Sequence, residues 1–309
     1  MHTHRTSRLV SLIMLTLLFS LPASWALADL TPLALDMKVH GNPPREDCWI
    51  EKGKEYRDES IHVVMETGNR KGKSSDSRVS TRWLTIEIAD PSQIRTTLSF
   101  ESFSDNRLTR SVNMQRSVNA IVALNDDFVK ISNYRGYVMR QGVFYCDTLD
   151  EHAKAQDVLI IDDQGDFRLV LDATSASMQE YLAQMETEGR KPINVFTFGP
   201  ALVIDGIAQT QFDDDKIRSP YYATPRIALC QLDHLKYAIV QIDGSSGNGL
   251  NCPELANYIV QLFPECKIAY NLDGGGSTHL FFGDKLVSKV KGSREISGMI
   301  YFASIASEE

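Results

Sequence analysis

The sequence lacks the paired cysteine and histidine spacings from which zinc sites are built. It has five cysteines and seven histidines in 309 residues, but no Cys-x-x-Cys pair and no His-x-x-x-His spacing. Its cysteine density is also far below that of a disulfide-rich scaffold. These absences exclude a zinc module and a small disulfide-held fold.

Beyond residue 28 the sequence has no apolar run long enough to span a bilayer. Residues 1–28 combine a basic start, an apolar core from Leu9 to Leu21 and a small cleavage site at Ala26–Ala28. This order is typical of a secretory signal peptide. We therefore expect a mature N-terminus at Asp29 and secretion to the periplasm or the extracellular space, with an uncleaved membrane anchor as the alternative.

Positive charge is in short supply, with 32 Lys and Arg residues against 40 Asp and Glu and a net charge of −8. Without Arg5 and Arg8 of the predicted signal peptide, 30 basic and 40 acidic residues leave a net charge of −10. This balance argues against nucleic acid and anionic membranes as partners. It still permits a small anionic substrate, because backbone N–H groups and an arginine act locally.

The cysteines would enter an oxidising compartment if the signal peptide is real, and their odd number leaves at least one without an internal partner. Cys252 and Cys266 flank a predicted helix and could form a disulfide, with a buried free thiol as the alternative for each. The sequence leaves the pairing open for all five cysteines: Cys48, Cys146, Cys230, Cys252 and Cys266.

Breaker residues divide the chain unevenly. Pro, Gly and charged residues dominate residues 29–60, and a basic stretch at 69–75 reads as a flexible loop. We therefore predict a loose N-terminal extension over residues 29–82 and one domain over residues 83–309. No internal repeat is evident.

Short β-rich runs from Trp83 onward predict an α+β fold, with mainly antiparallel sheets and a few helices in a single domain. Hairpin turns are predicted at Gln141-Gly142, Gln164-Gly165 and Gly283-Asp284.

Two helices are predicted between the strands. One carries Met178 and Met185 on its apolar stripe, with Ser177 and Glu180 at capping-box spacing. The other runs from Pro253 to Phe263 and would join two strands as a crossover. If those strands are parallel neighbours, the carboxylates that follow them, Asp243 and Asp273, lie at one sheet edge.

The segment from Asn271 to Leu280 is the most informative part of the chain. It delivers Asp273 from an apolar strand into Gly274, Gly275 and Gly276, followed by Ser277 and Thr278. Three glycines release the backbone so that their N–H groups can converge on an anion or a sugar. A tight turn is the alternative, as it is for most Gly-Gly pairs.

Other polar residues also lie where apolar strands begin or stop. Asn125, Asp126 and Asp127 follow the strand from Val118, Arg226 precedes a strand, and Asp243 ends one. Each alone is more typical of a turn, a cap or a surface ion pair. Their joint placement at strand ends predicts a site.

At these residues the chain resembles the phosphodiester glycosidase family. The resemblance covers roughly Trp83 to Tyr301, and the glycine segment is its most specific element. In that family a glycine usually stands where this chain has Asp126, and an arginine often stands where it has Ser245. The resembling segments are residues 118–128, 136–142, 198–202, 225–228, 243–244, 254–256, 271–277 and 294–297.

The resemblance implies a secreted glycoside hydrolase that cleaves a sugar 1-phosphodiester, such as an N-acetylglucosamine 1-phosphodiester, at the anomeric carbon of an extracellular or envelope glycan. By two-carboxylate logic we expect Asp273 to be catalytic, with Asp243 or Asp127 as the second carboxylate. Arg226 and the N–H groups of the three glycines would bind the phosphate. The sugar hydroxyls would be oriented by Asn125, Ser277 and Thr278.

Two other functions remain open at this stage. The first is a metal-dependent phosphodiesterase, with Asp126, Asp127 and Asp273 as ligands. The second is a module that binds polysaccharide, or serves exopolysaccharide biosynthesis, without catalysis. No cofactor is predicted, a divalent metal is left open, and His279 is a site residue or an ordinary strand histidine.

Overall fold

The computed structural model describes residues 30–71, 78–103, 107–127, 136–149, 156–213 and 219–307. The predicted signal peptide and the expected mature N-terminus at Asp29 lie outside these residues. The described strands are β1 (Trp49–Glu51), β2 (Glu55–Arg57), β3 (Ile61–Lys71), β4 (Arg78–Ile88), β5 (Ile94–Leu98), β6 (Ala120–Asn125), β7 (Tyr137–Arg140), β8 (Val143–Asp147), β9 (Gln156–Asp162), β10 (Phe167–Ala173), β11 (Pro192–Thr197), β12 (Ala201–Ile204), β13 (Ile207–Ala208), β14 (Arg226–Asp233), β15 (Lys236–Ile242), β16 (Ile268–Asn271), β17 (Leu280–Phe282), β18 (Lys285–Leu286) and β19 (Gly298–Ala303).

The strands form three antiparallel sheets. The large sheet has the order β1-β2-β3-β4-β15-β14-β16-β12-β13. A second sheet has the order β10-β9-β11-β7-β8, and a third has the order β18-β17-β6-β19-β5. Every pairing between named strands is antiparallel, which confirms the predicted fold class. The three predicted hairpins are also present, as β7–β8, β9–β10 and β17–β18.

The three sheets share one apolar core. Leu84 of the large sheet, Leu159 of the second and Phe302 of the third lie in the same cluster, and each is completely buried. Burial of this kind is the main favourable term in folding. The sheets therefore form one unit around this core.

Within the described residues, three α-helices cover the outer faces: α1 (Ser111–Ser117), α2 (Ser175–Thr187) and α3 (Cys252–Leu262). Met178 and Met185 of α2 pack on the second sheet, as their spacing predicts. Thr174, rather than Ser177, caps this helix, because the helix begins at Ser175 and places Ser177 at the third position of the capping box. Of the helices in the described residues, none is long and apolar enough to cross a bilayer.

Asn251 caps α3, which is the predicted crossover helix. Its side chain accepts the N–H of Glu254 at 2.8 Å, while Glu254 accepts the N–H of Asn251 at 2.9 Å. The strands on either side, β15 and β16, are not adjacent, because β14 lies between them and is antiparallel to both. The condition that these strands be neighbours is therefore not met, although β15 and β16 run in the same direction.

The N-terminal region differs from the predicted loose extension. Strands β1 to β4 fall in residues 49–88, complete the large sheet and pair with β15 through β4. The predicted boundary between residues 82 and 83 lies inside β4. Ile61 and Val63 of β3 are completely buried in the shared core, and this burial holds the region in the sheet. The nearby Pro, Gly and charged residues hide this apolar pattern in the sequence.

All five cysteines are free thiols, and four of them are buried. Cys252 and Cys266 therefore do not form a disulfide in this structure. The Cys266 thiol instead donates to the carbonyl oxygen of Ile268 at 3.5 Å.

We expect the centre of the large sheet to dominate stability. Ile239 in β15 is completely buried, whereas Ile207 in β13 is 67% exposed. Ile239→Ala should lower the free energy of unfolding by about 2–5 kcal/mol, because it removes packed methyl groups and leaves a cavity. Ile207→Ala, the same change at the surface, should cost less than about 0.5 kcal/mol. Equal losses in urea denaturation would contradict this arrangement of the core.

Candidate active site

Antiparallel pairing brings three of the predicted site residues to one edge of the large sheet. Arg226 begins β14 and pairs with Ile242 at the end of β15. On its other side, β14 pairs with β16, with Ala228 opposite Asn271. Because β14 runs opposite to both neighbours, its first residue lies at the same edge as Asp243 and Asp273.

The glycine segment needs glycine at all three positions. A Cβ on Gly274 would lie 2.8 Å from the carbonyl oxygen of Pro225, and one on Gly276 would lie 2.3 Å from the carbonyl oxygen of Gly292. Gly275 has a φ of +60°, in the left-handed region that side chains disfavour. The loop is thus pressed against two neighbouring backbones, and a short 3₁₀ turn follows at Gly275–Ser277.

The predicted anion cradle is only partly available. The N–H of Gly275 donates to the Pro225 carbonyl at 2.9 Å, so it cannot bind a ligand in this conformation. The N–H groups of Gly274 and Gly276 have no acceptor among the described residues. All three glycines line the adjoining cleft. Two of the three predicted donors therefore remain.

Asn125 holds the glycine segment in place. Its Nδ2 donates to the carbonyl oxygen of Asp273 at 2.8 Å and to that of Asp126 at 3.2 Å. Its Oδ1 accepts the N–H of His279 at 2.9 Å. The side chain is 1% exposed and fully used by backbone groups. Asn125 thus positions Asp273, and the expectation that it orients sugar hydroxyls is not met.

A cleft of about 300 Å³ opens beside the glycine segment. Asp273 lies on its wall, with 14% of its side chain exposed. Three cationic residues line the same cleft: Arg226, Lys291 and Arg294. The Arg294 Nη2 lies 3.9 Å from Asp273 Oδ2. The cations could bind the charged group of an anionic ligand, and the carboxylate could act on an atom next to that group.

Arg226 is fixed by carbonyl groups. Its Nη2 donates to the Tyr222 carbonyl at 3.0 Å, and its Nε donates to the Leu250 carbonyl at 3.4 Å. No ion pair involving Arg226 is found among the described residues, although it is 6% exposed. Its guanidinium is therefore held by neutral carbonyl groups at the wall of the cleft, and its binding of a phosphate stays a prediction.

Asp243 does not reach the cleft. Its Oδ2 forms an ion pair with Arg82 at 2.6 Å, and its Oδ1 accepts hydrogen bonds from Gln241 at 2.9 Å and from the backbone of Lys289 at 2.6 Å. Both carboxylate oxygens therefore stabilise the edge of the sheet. The structure gives no support to Asp243 as the second carboxylate.

Asp126 and Asp127 are buried behind the glycine segment. Both form ion pairs with Arg140, which is completely buried. Burial raises the pKa of both carboxyl groups, and that of Asp126 reaches about 8. The negative charge of Asp127 adds to the shift of Asp126, while the positive charge of Arg140 opposes it.

Neither of the two predicted hydroxyl groups, those of Ser277 and Thr278, lies in the cleft. Ser277 does not line the cleft, and its Oγ accepts a hydrogen bond from Arg294 Nη2 at 2.9 Å. Thr278 is completely buried and also lies outside the cleft lining. The structure therefore does not place either hydroxyl where a sugar would bind.

His279 is an internal histidine. It is 2% exposed, and its Nε2 lies 2.7 Å from Ser293 Oγ. Burial, with a smaller contribution from the charge of Arg294, lowers its pKa to about 4. The imidazole is therefore neutral at physiological pH.

Sequence reasoning missed Lys291, Arg294 and Tyr222 as cleft residues. Their signal was weak, because no strand precedes them and isolated basic residues are usually solvated. A better signal is the density of positive charge in the segment 289–294, which contains Lys289, Lys291 and Arg294 in an otherwise acidic chain.

The possible metal ligands do not form a joint donor set. Within the described ranges, no group of three or more His, Cys, Asp or Glu residues could hold an ion together. Asp126 and Asp127 are both directed to Arg140, whose charge would oppose a cation there.

Comparisons with known proteins identify a family and two structures of similar fold. A model of the phosphodiester glycosidase family matches residues 118–303. The chain is similar to the catalytic domain of zebrafish N-acetylglucosamine-1-phosphodiester alpha-N-acetylglucosaminidase, auto-inhibited by its pro-peptide. The TM-score is 0.59 and the identity 14%, over 88% of this chain and 97% of that one.

It is also similar to a hypothetical protein from Synechocystis, with a TM-score of 0.51 and 14% identity, over 79% of this chain and 62% of that one. At such identities the likeness concerns the fold. No curated protein matches the sequence.

The buried imidazole of His279 predicts acid sensitivity. As the pH falls from 6.5 towards about 4, the unfolded chain binds a proton that the folded protein does not, so stability should decrease. His279→Gln should lose less free energy of unfolding between pH 7 and pH 5 than the wild type. Equal slopes for His279→Gln and the wild type would refute the assignment.

Proposed function

Because this chain belongs to the phosphodiester glycosidase family, we propose that it hydrolyses a sugar 1-phosphodiester at the anomeric carbon. The products are a free sugar and a phosphate monoester. The substrate class that best fits is a glycan with a sugar such as N-acetylglucosamine in phosphodiester linkage. The zebrafish protein of similar fold carries that activity in its name.

The observation that carries the proposal is the charge distribution of the cleft. Arg226, Lys291 and Arg294 line it, together with Asp273 and Asp213, in a chain with a net charge of −8. The cations would bind the phosphodiester and stabilise the phosphate as it leaves. A phosphate monoester needs little protonation to depart, so one carboxylate can supply the remaining chemistry.

Asp273 is the carboxylate that we assign to the anomeric carbon. The bond between C1 and the phosphate oxygen breaks, and a new bond forms from C1 to a water oxygen, directly or after attack by Asp273. The electron pair of the broken bond leaves with the phosphate. In the direct route Asp273 takes the proton of the attacking water. In the second route the bond between C1 and Asp273 breaks as water attacks C1, and the proton of that water passes to the phosphate monoester. In both routes the negative charge of Asp273 stabilises the cationic sugar.

The predicted signal peptide supports a location outside the cytoplasm. Envelope or extracellular glycans that carry phosphodiester-linked sugars would be available there.

Substitution of Asp273 tests the proposal. Asp273→Asn should lower the rate of sugar release by about 10³-fold or more, because it removes the charge at the reacting carbon. Asp284→Asn, in the turn of the β17–β18 hairpin, is the control and should keep full activity. The measurement is the free sugar released from a synthetic N-acetylglucosamine 1-phosphodiester. Release by the Asp273 variant at the wild-type rate would refute the assignment, and tight binding without release by the wild type would favour a non-catalytic module.

The cleft cations should affect substrate binding selectively. Lys291 lines the cleft, whereas Lys289, two residues earlier and also exposed, does not. Lys291→Met should raise KM several-fold, because an exposed cation contributes about 1 kcal/mol or less to the binding of an anion. Lys289→Met should leave KM unchanged. The same KM for both variants across a range of salt concentrations would contradict a phosphate-binding role for this wall.

A further inference from the structure

A second, small cavity shares Asp273 with the cleft. Its volume is about 20 Å³, which is room for about one water molecule. We call it the rear cavity, and its polar lining residues are Asn125, Asp126, Asp127, Asp273, Ser277, Glu295 and Ser297. A cavity of this size with several polar groups is of the kind that binds an ordered water.

One wall of the rear cavity is held rigidly. Arg140 contacts Asp126 Oδ2 at 3.0 Å and also pairs with Asp127, whose other oxygen accepts the N–H of Thr197 at 3.0 Å. The same guanidinium donates to the Val195 carbonyl at 2.6 Å. Each carboxylate is therefore fixed in orientation by charge-assisted hydrogen bonds.

The backbone joins this wall to Asp273. The N–H of Asp273 donates to the carbonyl oxygen of Asp126 at 3.3 Å. Gly298 of β19 makes room for the Asp126 side chain, because a Cβ there would lie 2.0 Å from Asp126 Oδ2. The third sheet thus fixes the position of Asp126, and the hydrogen bond between the two backbones links Asp273 to it.

Asp126 can donate a hydrogen bond while its carboxyl group is protonated. The charged or titratable residues around it are Arg140, Asp127, Asp273 and Glu295, and Arg294 lies beyond Asp273. Burial is the main cause of its raised pKa of about 8, so its carboxyl group carries a proton below that pH. A neutral carboxyl group beside an ionised one can donate a hydrogen bond through a water.

We propose that the rear cavity holds one water molecule that bridges the carboxyl groups of Asp126 and Asp273, which makes Asp126 a positioning residue. This inference rests on the proposed function. Asp126 donates to the water, and the water donates to Asp273. No proton needs to be transferred. The bridge fixes the orientation of the Asp273 carboxylate toward the cleft.

The pH dependence of kcat tests the bridge. Ionisation of Asp126 removes its donor, so the wild-type kcat for sugar release should fall about tenfold as the pH rises from 7 to 10. Asp126→Asn keeps a donor that does not ionise, so its kcat should stay level over this range. Asp126→Ala should have about tenfold lower kcat at pH 7, with KM changed less than twofold.

Asp162→Asn is the matched control. Asp162 is a buried carboxylate held by Arg168 and Arg190, and it lines neither cavity. This variant should keep the wild-type pH profile even if it lowers stability. A wild-type alkaline decrease in Asp126→Asn, or a wild-type kcat in Asp126→Ala, would overturn the proposal.

The wild-type protein supplies a second readout that needs no variant and no activity. A crystal structure at high resolution should show an ordered water within hydrogen-bond distance of both Asp126 and Asp273. A rear cavity without that water overturns the bridge, whether or not the variants fold. Absence of sugar release by the wild type would instead refute the proposed function, so the two failures are distinguishable.

Discussion

The location of Asp273 depends on the carboxamide of Asn125. The chain leaves the large sheet at Asn271 and enters the third sheet at Leu280, and the glycine segment is the passage between them. Asn125, at the end of β6, bonds to the backbone at both ends of this passage. Three glycines alone would give a passage with many conformations. A buried amide with its hydrogen bonds satisfied restricts them to one.

Ion pairing decides which carboxylates can act. Asp243 is neutralised by Arg82, and Asp126 and Asp127 share Arg140. These pairs stabilise the strand ends from which the cleft is built, and they withdraw the carboxylates from solvent. Asp273 keeps part of its surface in the cleft, 3.9 Å from the guanidinium of Arg294. The chemistry proposed for this protein follows from that difference in exposure, since the four aspartates are alike in type.

The sequence was sufficient for the parts that local pattern controls. The hairpin turns, both longer helices and the strands before Asp243 and Asp273 follow from periodicity and turn residues. The sequence did not predict the strand order, which depends on pairing between distant segments. The insertion of β14 between β15 and β16 has no local signal, yet it brings Arg226 to the site edge. Strand β3 was hidden by charged residues in its outer half.

The roles of site residues were harder to predict than their places. Strand ends indicated Asn125, Arg226 and Asp273, but the sequence could not show that the Asn125 amide would be used by the backbone. Thr278 was expected in the site and is buried, because the 3₁₀ turn after Gly275 carries it inward. Lys291 and Arg294 come from a loop that only the tertiary fold brings to the glycine segment.

The proposed function depends on cleavage of the bond between the sugar carbon and the phosphate oxygen. Hydrolysis in oxygen-18 water, followed by mass spectrometry of the phosphate product, tests this most directly. The phosphate is the product to analyse, because the anomeric oxygen of a free sugar exchanges with water by itself. Attack at the anomeric carbon predicts a phosphate monoester without label. Label in the phosphate would show cleavage at phosphorus and would contradict the assignment of Asp273 to the sugar.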